Sequence, residues 1–451
     1  MATKPANLIY GVDDKPVWKI AFTLGLQHVF TMSSCLFIPV IIAHEIGGGF
    51  DVVQSLVCFS MIASGLGTIL QSLNRGPIGS GYLCPHLNGP SYLSVSIQAA
   101  TLGGLPLMHG MTIVTGIFEV FFSRVVQKLK YFFPPEITGL VVLMIAVGLI
   151  PVGVSKFVGI DYAGDSINMK GLFIAVVTLS SMIGFNIWGK GKLKLYCVLI
   201  GLGIGYTMSL ATGVISHNDF TAFLNEPWFS LPGKGIKLFN YKFDWGLVIP
   251  FFIVSLCSSL KSIGNLITCQ KINDEKWSSP DMKNIGKGLF ADGLSVTIAG
   301  AIGGVATDTS ASNVGLSAAT SATSRSIGYY AGFIFIGIAF IPKFTAIFSI
   351  MPSAIMGALI VFVTCFMIIS GIQIIQSCKL DTRKTFVIGL SFIFGLSAII
   401  LPDLYSRLPY WLNPIFSSSL TLSSMLAILL NQIFNIGAKK DFKTFENETK
   451  N

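Results

Sequence analysis

Apolar stretches close to twenty residues long recur fourteen times along this 451-residue chain, with short polar breaks between them. A helix needs about 20 apolar residues to cross a bilayer. The stretches lie at 18–42, 52–73, 80–100, 106–125, 134–154, 169–189 and 194–215, then at 244–266, 286–302, 304–325, 327–350, 352–377, 383–401 and 414–436. Charged residues make up 11% of the chain, too few to cover a soluble protein of this size. Thirty-five phenylalanines exclude a disordered chain. The pattern reads as an all-α polytopic membrane protein with fourteen transmembrane segments.

The charges that remain set an orientation. With an even segment count and the N-terminus placed inside, twenty-two of the thirty Lys and Arg fall on the internal side and seven on the external side. Lys261 alone falls deep within a span. Both termini are therefore expected in the cytoplasm, at the cell (inner) membrane. The net charge of +9 follows from this topology and not from a basic face for nucleic acid. Residues 1–16 are polar and carry Lys4 and Lys15, and the apolar run after them is too long for a cleavable signal. Eight cysteines without a CxxC pair read as small buried hydrophobes, not as a disulfide or metal framework.

The polar interval 216–243 divides the segments seven and seven. Because seven is odd, the second half must enter the membrane in the opposite orientation. The third segment of each half is broken by small and polar residues. Gly79 to Ser94 contains two prolines and turns helical near Pro90, and Gly303 to Thr320 turns helical near Ser312. Short, interrupted segments at matching places in two halves are the mark of an inverted-repeat transporter, with a polar pocket where the half-helices meet. Two kinked helices packed by small residues would look similar.

Several motifs then carry a resemblance. They are Gln27-His28, Gly89-Pro90-Ser91-Tyr92, Phe133-Pro134-Pro135 with Gly139, Ala291-Asp292-Gly293, Asn313-x-Gly315-x-x-x-x-Thr320 with Ser324-Arg325, and Pro352-x-x-x-x-Gly357. In this order they resemble the nucleobase–ascorbate transporter family of uracil, xanthine and uric acid permeases, over about 18–436. The resemblance implies a core domain from 18–125 and 244–350 (segments 1–4 and 8–11) and a gate domain from 126–215 and 351–436 (segments 5–7 and 12–14). The external loop 216–243 and the cytoplasmic tails 1–17 and 437–451 complete it. It further implies elevator-like movement of core against gate, coupling to a proton or sodium ion, no other cofactor, and a homodimer.

The same motifs depart from the family at the site. Lys261 stands where a Glu usually binds the base, Asn265 where an acid usually follows, and Ser312 where Gln or Glu usually opens the signature. An ammonium in a span is costly unless it is paired or wet. Lys261 is thus either paired with Asp308 or Asp292, or a cation for an anionic substrate or for coupling. Ser91, Tyr92, Lys261, Ser312 and Asn313 are the expected substrate contacts, with Tyr92 stacking on a flat ring. His28, Asp292, Asp308, Asn265 and Glu119 are the expected coupling or core polar groups. Asp292 and His28 fit structural hydrogen bonding at least as well as proton transfer.

Other chemistry is weak. Gly184 to Lys190 mimics a phosphate loop, but Gly191 follows where Ser or Thr is required. Asn447-Glu448-Thr449 matches a glycosylation acceptor on the internal side. The chain is expected to be a transporter, not an enzyme, moving a nucleobase such as uracil or xanthine. A small-anion carrier on the same fold is the alternative, and a non-transporting receptor or scaffold has no use for unwound segments.

Overall fold

Polar side chains punctuate the apolar runs where helices begin. Asn168, Asp281, Ser310, Ser324, Asp381 and Ser418 each accept a hydrogen bond from a backbone N–H in the turn that follows. The computed structural model describes residues 4–6, 8–129, 134–160, 167–190, 193, 196–233, 239–376, 378, 380–406, 408–409, 416 and 418–435. Phe133, Gly191, the loop lysines Lys234 and Lys237, and the tail 437–451 with its Asn447 motif lie outside the described residues.

The first half contains α1 (Trp18–Ser33), α2 (Phe37–Glu45), α3 (Phe50–Ser72), strand β1 (His86–Asn88), α4 (Leu93–Leu129), α5 (Pro135–Val158), α6 (Met169–Trp188) and α7 (Cys197–Ala211). A short helix α8 (His217–Asn225) leads into the second half. There follow α9 (Val248–Asn273), α10 (Met282–Ile302), strand β2 (Thr307–Thr309), α11 (Ala311–Ala319), α12 (Arg325–Ala339) and α13 (Pro342–Ser349). The order ends with α14 (Ser353–Gln376), α15 (Thr382–Ile400), α16 (Pro402–Ser406) and α17 (Ser419–Phe434).

Among the described residues, nine helical stretches are long and apolar enough to cross a bilayer, or ten if the bent pair α12–α13 counts as one. The difference from fourteen has local causes. Expected segments 3 and 4 run together in α4, broken only at Gly104 (φ 74°, ψ −176°) ahead of Pro106. Expected segment 11 bends by 77° between Ala339 and Pro342. Segment 10 keeps nine helical residues in α11, and α7 and α17 are shorter than a full span. Large apolar side chains such as Phe121, Phe173, Ile187 and Ile393 stand exposed on helix flanks, as lipid-facing residues do. Six of the eight free cysteines are buried, and Cys365 is exposed.

The helices pack in two sets. In one, α3 lies on α12 and α10, α4 on α10 and α9, and α1 on α12. In the other, α5 lies on α14, α15 and α17, while α6 lies on α7 and α14, and α15 on α17. Facing glycines bring the closest pairs together. A Cβ on Gly65 would stand 2.8 Å from the Gly332 carbonyl oxygen, and one on Gly332 would stand 2.7 Å from that of Gly65. Gly116 and Gly293 do the same between α4 and α10 (2.6 and 2.9 Å), and Gly139 and Gly371 between α5 and α14 (2.8 and 2.9 Å). Without side chains the backbones touch, which is how membrane helices gain packing energy.

Two further links matter below. The Lys156 ammonium on α5 lies 3.0 Å from the Glu45 carboxylate at the end of α2, which packs on α3 and α4, so the pair ties one set to the other. The N-terminal segment crosses the loop between α11 and α12. The backbone N–H groups of Thr323 and Arg325 donate to the carbonyls of Tyr10 and Val12, and the Ser324 hydroxyl donates to that of Asp14. Arg325 also pairs with Asp13 at 2.6 Å.

Candidate functional site

The two broken segments meet as an antiparallel ladder. His86 faces Thr309, Leu87 faces Asp308, and Asn88 faces Thr307. Pro85 and Pro90 deny helix to the stretch around β1, because proline lacks the N–H and disfavours helix at the residue before it. Backbone that leaves the helix inside a membrane must find partners within the protein. The ladder supplies them, continued by Gly89 N–H to the Ala306 carbonyl and Ser310 N–H to that of Pro85. The chain then turns helical on each side. A 3-10 turn at Pro90–Tyr92 feeds α4, and Ser310 caps α11.

Helix α9 runs alongside the ladder and turns Lys261, Ser262 and Asn265 toward it, a spacing that shares one helix flank, while Ser259 turns toward α4. Lys261 donates to Asp308 Oδ2 at 2.5 Å, and the Ser91 hydroxyl donates to the same oxygen at 3.3 Å. Asp308 is fully buried, while the Lys261 side chain is 28% exposed. Space for the carboxylate depends on Gly89, where a Cβ would come within 3.2 Å of it. The second oxygen, Oδ1, is buried without a hydrogen bond.

A second polar layer lies behind this pair. Asp292 on α10 accepts from the Ser262 hydroxyl at 2.5 Å and lies 2.9 Å from His86 Nε2. Ser262 and Thr309 share a hydrogen bond of 2.8 Å, and Asn265 donates to both the hydroxyl and the carbonyl oxygen of Thr309. Glu119 on α4 accepts from Ser259 at 2.6 Å. Asp292, His86 and Glu119 are all fully buried. On the far side of the ladder, His28 of α1 lies 2.8 Å from Asn313 Oδ1. The Asn313 amide nitrogen donates to Ser310, so the histidine Nδ1 carries the proton in this bond.

The structure therefore brings Ser91, Lys261 and Asp308 together, gathers Asn265 and Asp292 around Thr309, and joins His28 to Asn313. Of the two partners considered for Lys261, it is Asp308 that holds it. Glu119 belongs to the buried layer through Ser259. Two expected contacts stand apart. Tyr92 is fully buried, so its ring offers no open face for stacking in this conformation. Ser312 lies on the exposed side of α11, opposite Asn313, and shares that open side with Gly315. Sequence reasoning passed over His86, Ser259, Ser262 and Thr309. An ionisable residue at membrane depth was itself a signal for His86; serine and threonine hydroxyls are too common in spans to be one.

Comparison with known proteins adds the following. A family model described as "Permease family" matches residues 19–404. A putative purine permease, CPE0397 of Clostridium perfringens, is 29% identical over 430 residues, covering 95% of this chain and 93% of that protein. The uric acid permease PucJ of Bacillus subtilis is 28% identical over 436 residues, covering 95% of each. Among solved structures, the murine anion transporter Slc26a9 in its inward-facing state superimposes with a TM-score of 0.62 at 12% identity, covering 94% of this chain and 69% of that one. That likeness concerns the fold alone.

Proposed function

Since this chain belongs to the nucleobase–ascorbate transporter family, we propose that it is an ion-coupled carrier that takes a purine-type nucleobase across the cell (inner) membrane. The observation that carries the reading is the β1–β2 ladder, with Lys261 and Asp308 paired where it meets α9. Backbone that leaves the helix at membrane depth is costly and is kept only where it is buried in protein or lines a cavity, which is where transporters build their sites. The base sits on the open side of this pair, between α9 and α11, beside Ser312, while Ser91 holds Asp308 and Asn313 holds the start of α11 behind it.

The helix contacts support a fold of two inverted seven-segment repeats, fourteen segments in all. Exchanging each segment with the one seven places on turns the Gly65–Gly332 contact into the Gly293–Gly116 contact. It likewise turns α6–α7 packing into α15–α17 packing, and β1–β2 into itself. All three are what a pseudo-two-fold axis in the membrane plane requires. The set containing the ladder is then the core domain, the set built on α5 and α14 is the gate, and transport moves one past the other. Both termini are cytoplasmic and the protein is a homodimer. Three carboxylates, Asp308, Asp292 and Glu119, are fully buried, and Lys261 pairs with the first of them. This buried acidic cluster supports a proton as the coupling ion, with Asp292 held by His86 and Ser262 and Glu119 held by Ser259.

Uptake of labelled purines and pyrimidines into proteoliposomes, with and without an inward proton gradient, tests the reading. Accumulation of at least one base that collapses with the gradient is expected. No base entering above the rate of empty liposomes would remove it and leave a small-anion carrier, or a receptor or scaffold.

A further inference from the structure

The charge that this site shows to a ligand is positive. We propose that the carrier selects the anionic form of its heterocycle, a ring bearing a negatively charged oxygen, through Lys261. This rests on the reading of the site as a nucleobase site.

The Lys261–Asp308 pair is neutral as a whole but has a fixed direction. Its carboxylate end is fully buried, accepts from both Lys261 and Ser91, and lies against Gly89. Its ammonium end is 28% exposed. An ammonium has three N–H donors, and Asp308 takes one. The other two belong to the exposed end of the pair. Glu119 and Asp292, the other acids of the cluster, are fully buried behind it and present no carboxylate to the ligand.

The neighbouring surface is uncharged and roomy. Gly264, one turn beyond Lys261, is exposed, as are Ser312 and Gly315 on α11. A Cβ on either glycine would meet nothing within 4 Å. A flat ring fits there, edge toward Lys261, with the Ser312 hydroxyl free to donate or accept. A neutral ring offers the ammonium a carbonyl oxygen. An anionic ring offers an oxygen bearing charge, and hydrogen bonds between two ionised groups are the stronger kind. A charged partner improves a hydrogen bond enough for about a tenfold gain in affinity.

Equilibrium binding to the purified protein at neutral pH tests this without requiring turnover. Urate, whose ring is anionic there, is compared with hypoxanthine, whose ring is neutral. Urate should bind about tenfold more tightly. Lys261→Arg should keep the preference. The double variant Lys261→Gln/Asp308→Asn, which leaves no bare charge, should lose it. Equal affinities in the wild type, or an unchanged preference in the double variant, would overturn the proposal while leaving a nucleobase carrier in place. Orotate, which carries its charge on a carboxylate, separates the sources of charge. Weak orotate binding beside tight urate binding assigns Lys261 to the ring oxygen, and orotate bound more tightly than urate overturns that assignment. If neither purine binds while sulfate or bicarbonate does, the nucleobase reading falls, and this one with it.

Discussion

His28 and Asn313, 285 positions apart, share a 2.8 Å hydrogen bond that fixes the start of α11 against α1. Asn313 is fully buried and also holds the Ser310 cap through its amide nitrogen. Asn313→Ala should cut uptake at least tenfold while leaving protein in the membrane, since one lost hydrogen bond costs about 1–3 kcal/mol when its partner stays buried. Uptake rate per unit of membrane protein checks it, and normal uptake would separate α11 from the site.

The Lys261–Asp308 pair predicts a rescue. Lys261→Met and Asp308→Asn should each lower thermal stability in detergent, by an amount near the lower end of the 3–5 kcal/mol typical of a broken buried pair, because Lys261 is partly exposed. The double variant should recover part of the loss. Additive losses in a double-mutant cycle would mean that the two charges do not depend on each other.

Much of this site was legible in the sequence, and the reasons differ from residue to residue. The broken segments announced themselves through Pro85, Pro90 and the Gly303–Gly304 pair, residues that no uninterrupted span would choose. Lys261 stood out because an ammonium is expensive in a span, and Asp308 was one of two acids able to answer it. Which acid answered was settled by strand register, which depends on residues more than two hundred positions apart. Separation along the chain also hid His86–Asp292 and, at about half that distance, Lys156–Glu45. The bend after Ala339 had a local cause in Pro342, but the apolar run continued through it unbroken, and hydropathy alone does not register direction.

Lys156 and Glu45 tie the two helix sets together, and their coupling is measurable. Lys156→Met and Glu45→Gln should show a coupling energy of about 1 kcal/mol in thermal unfolding, the upper end for a pair that keeps some solvent contact. Each single variant should also raise the labelling of a cysteine placed between α2 and α5. No coupling and no change in labelling would remove this contact from the closure of the two sets.

Glycine contacts predict matched failures. Gly116→Val and Gly332→Val each push a branched side chain into a facing backbone. Each should destabilise by about 3 kcal/mol, at the upper end of the usual overpacking range. Ala substitutions should lose less. A Val variant with wild-type stability would show that the helices part without cost at that point.

The N-terminal segment predicts a pH effect. The Lys4 ammonium, 2.6 Å from Asp14, is the main cause holding that carboxyl below its usual value of 3.8. A depressed pKa means stabilisation that is present at neutral pH and lost as pH falls below about 4. The pair is exposed, so the effect is at most about 1 kcal/mol. Deleting residues 1–14 should do more, because it frees the N–H groups of Thr323 and Arg325. Faster hydrogen exchange at 320–325 checks it, and unchanged exchange would deny the contact any hold on the loop.

The ladder also imposes a waiting time on biosynthesis. Leu87 pairs with Asp308, 221 residues later in the chain. At about 5–20 residues per second, the first strand waits roughly 10–45 s after synthesis for its partner. Throughout that interval the N–H and C=O groups of the first strand lack the partners that the second supplies. Closure of this site is therefore a late event in the folding of this chain, and a product that ends before Thr307 cannot form the ladder.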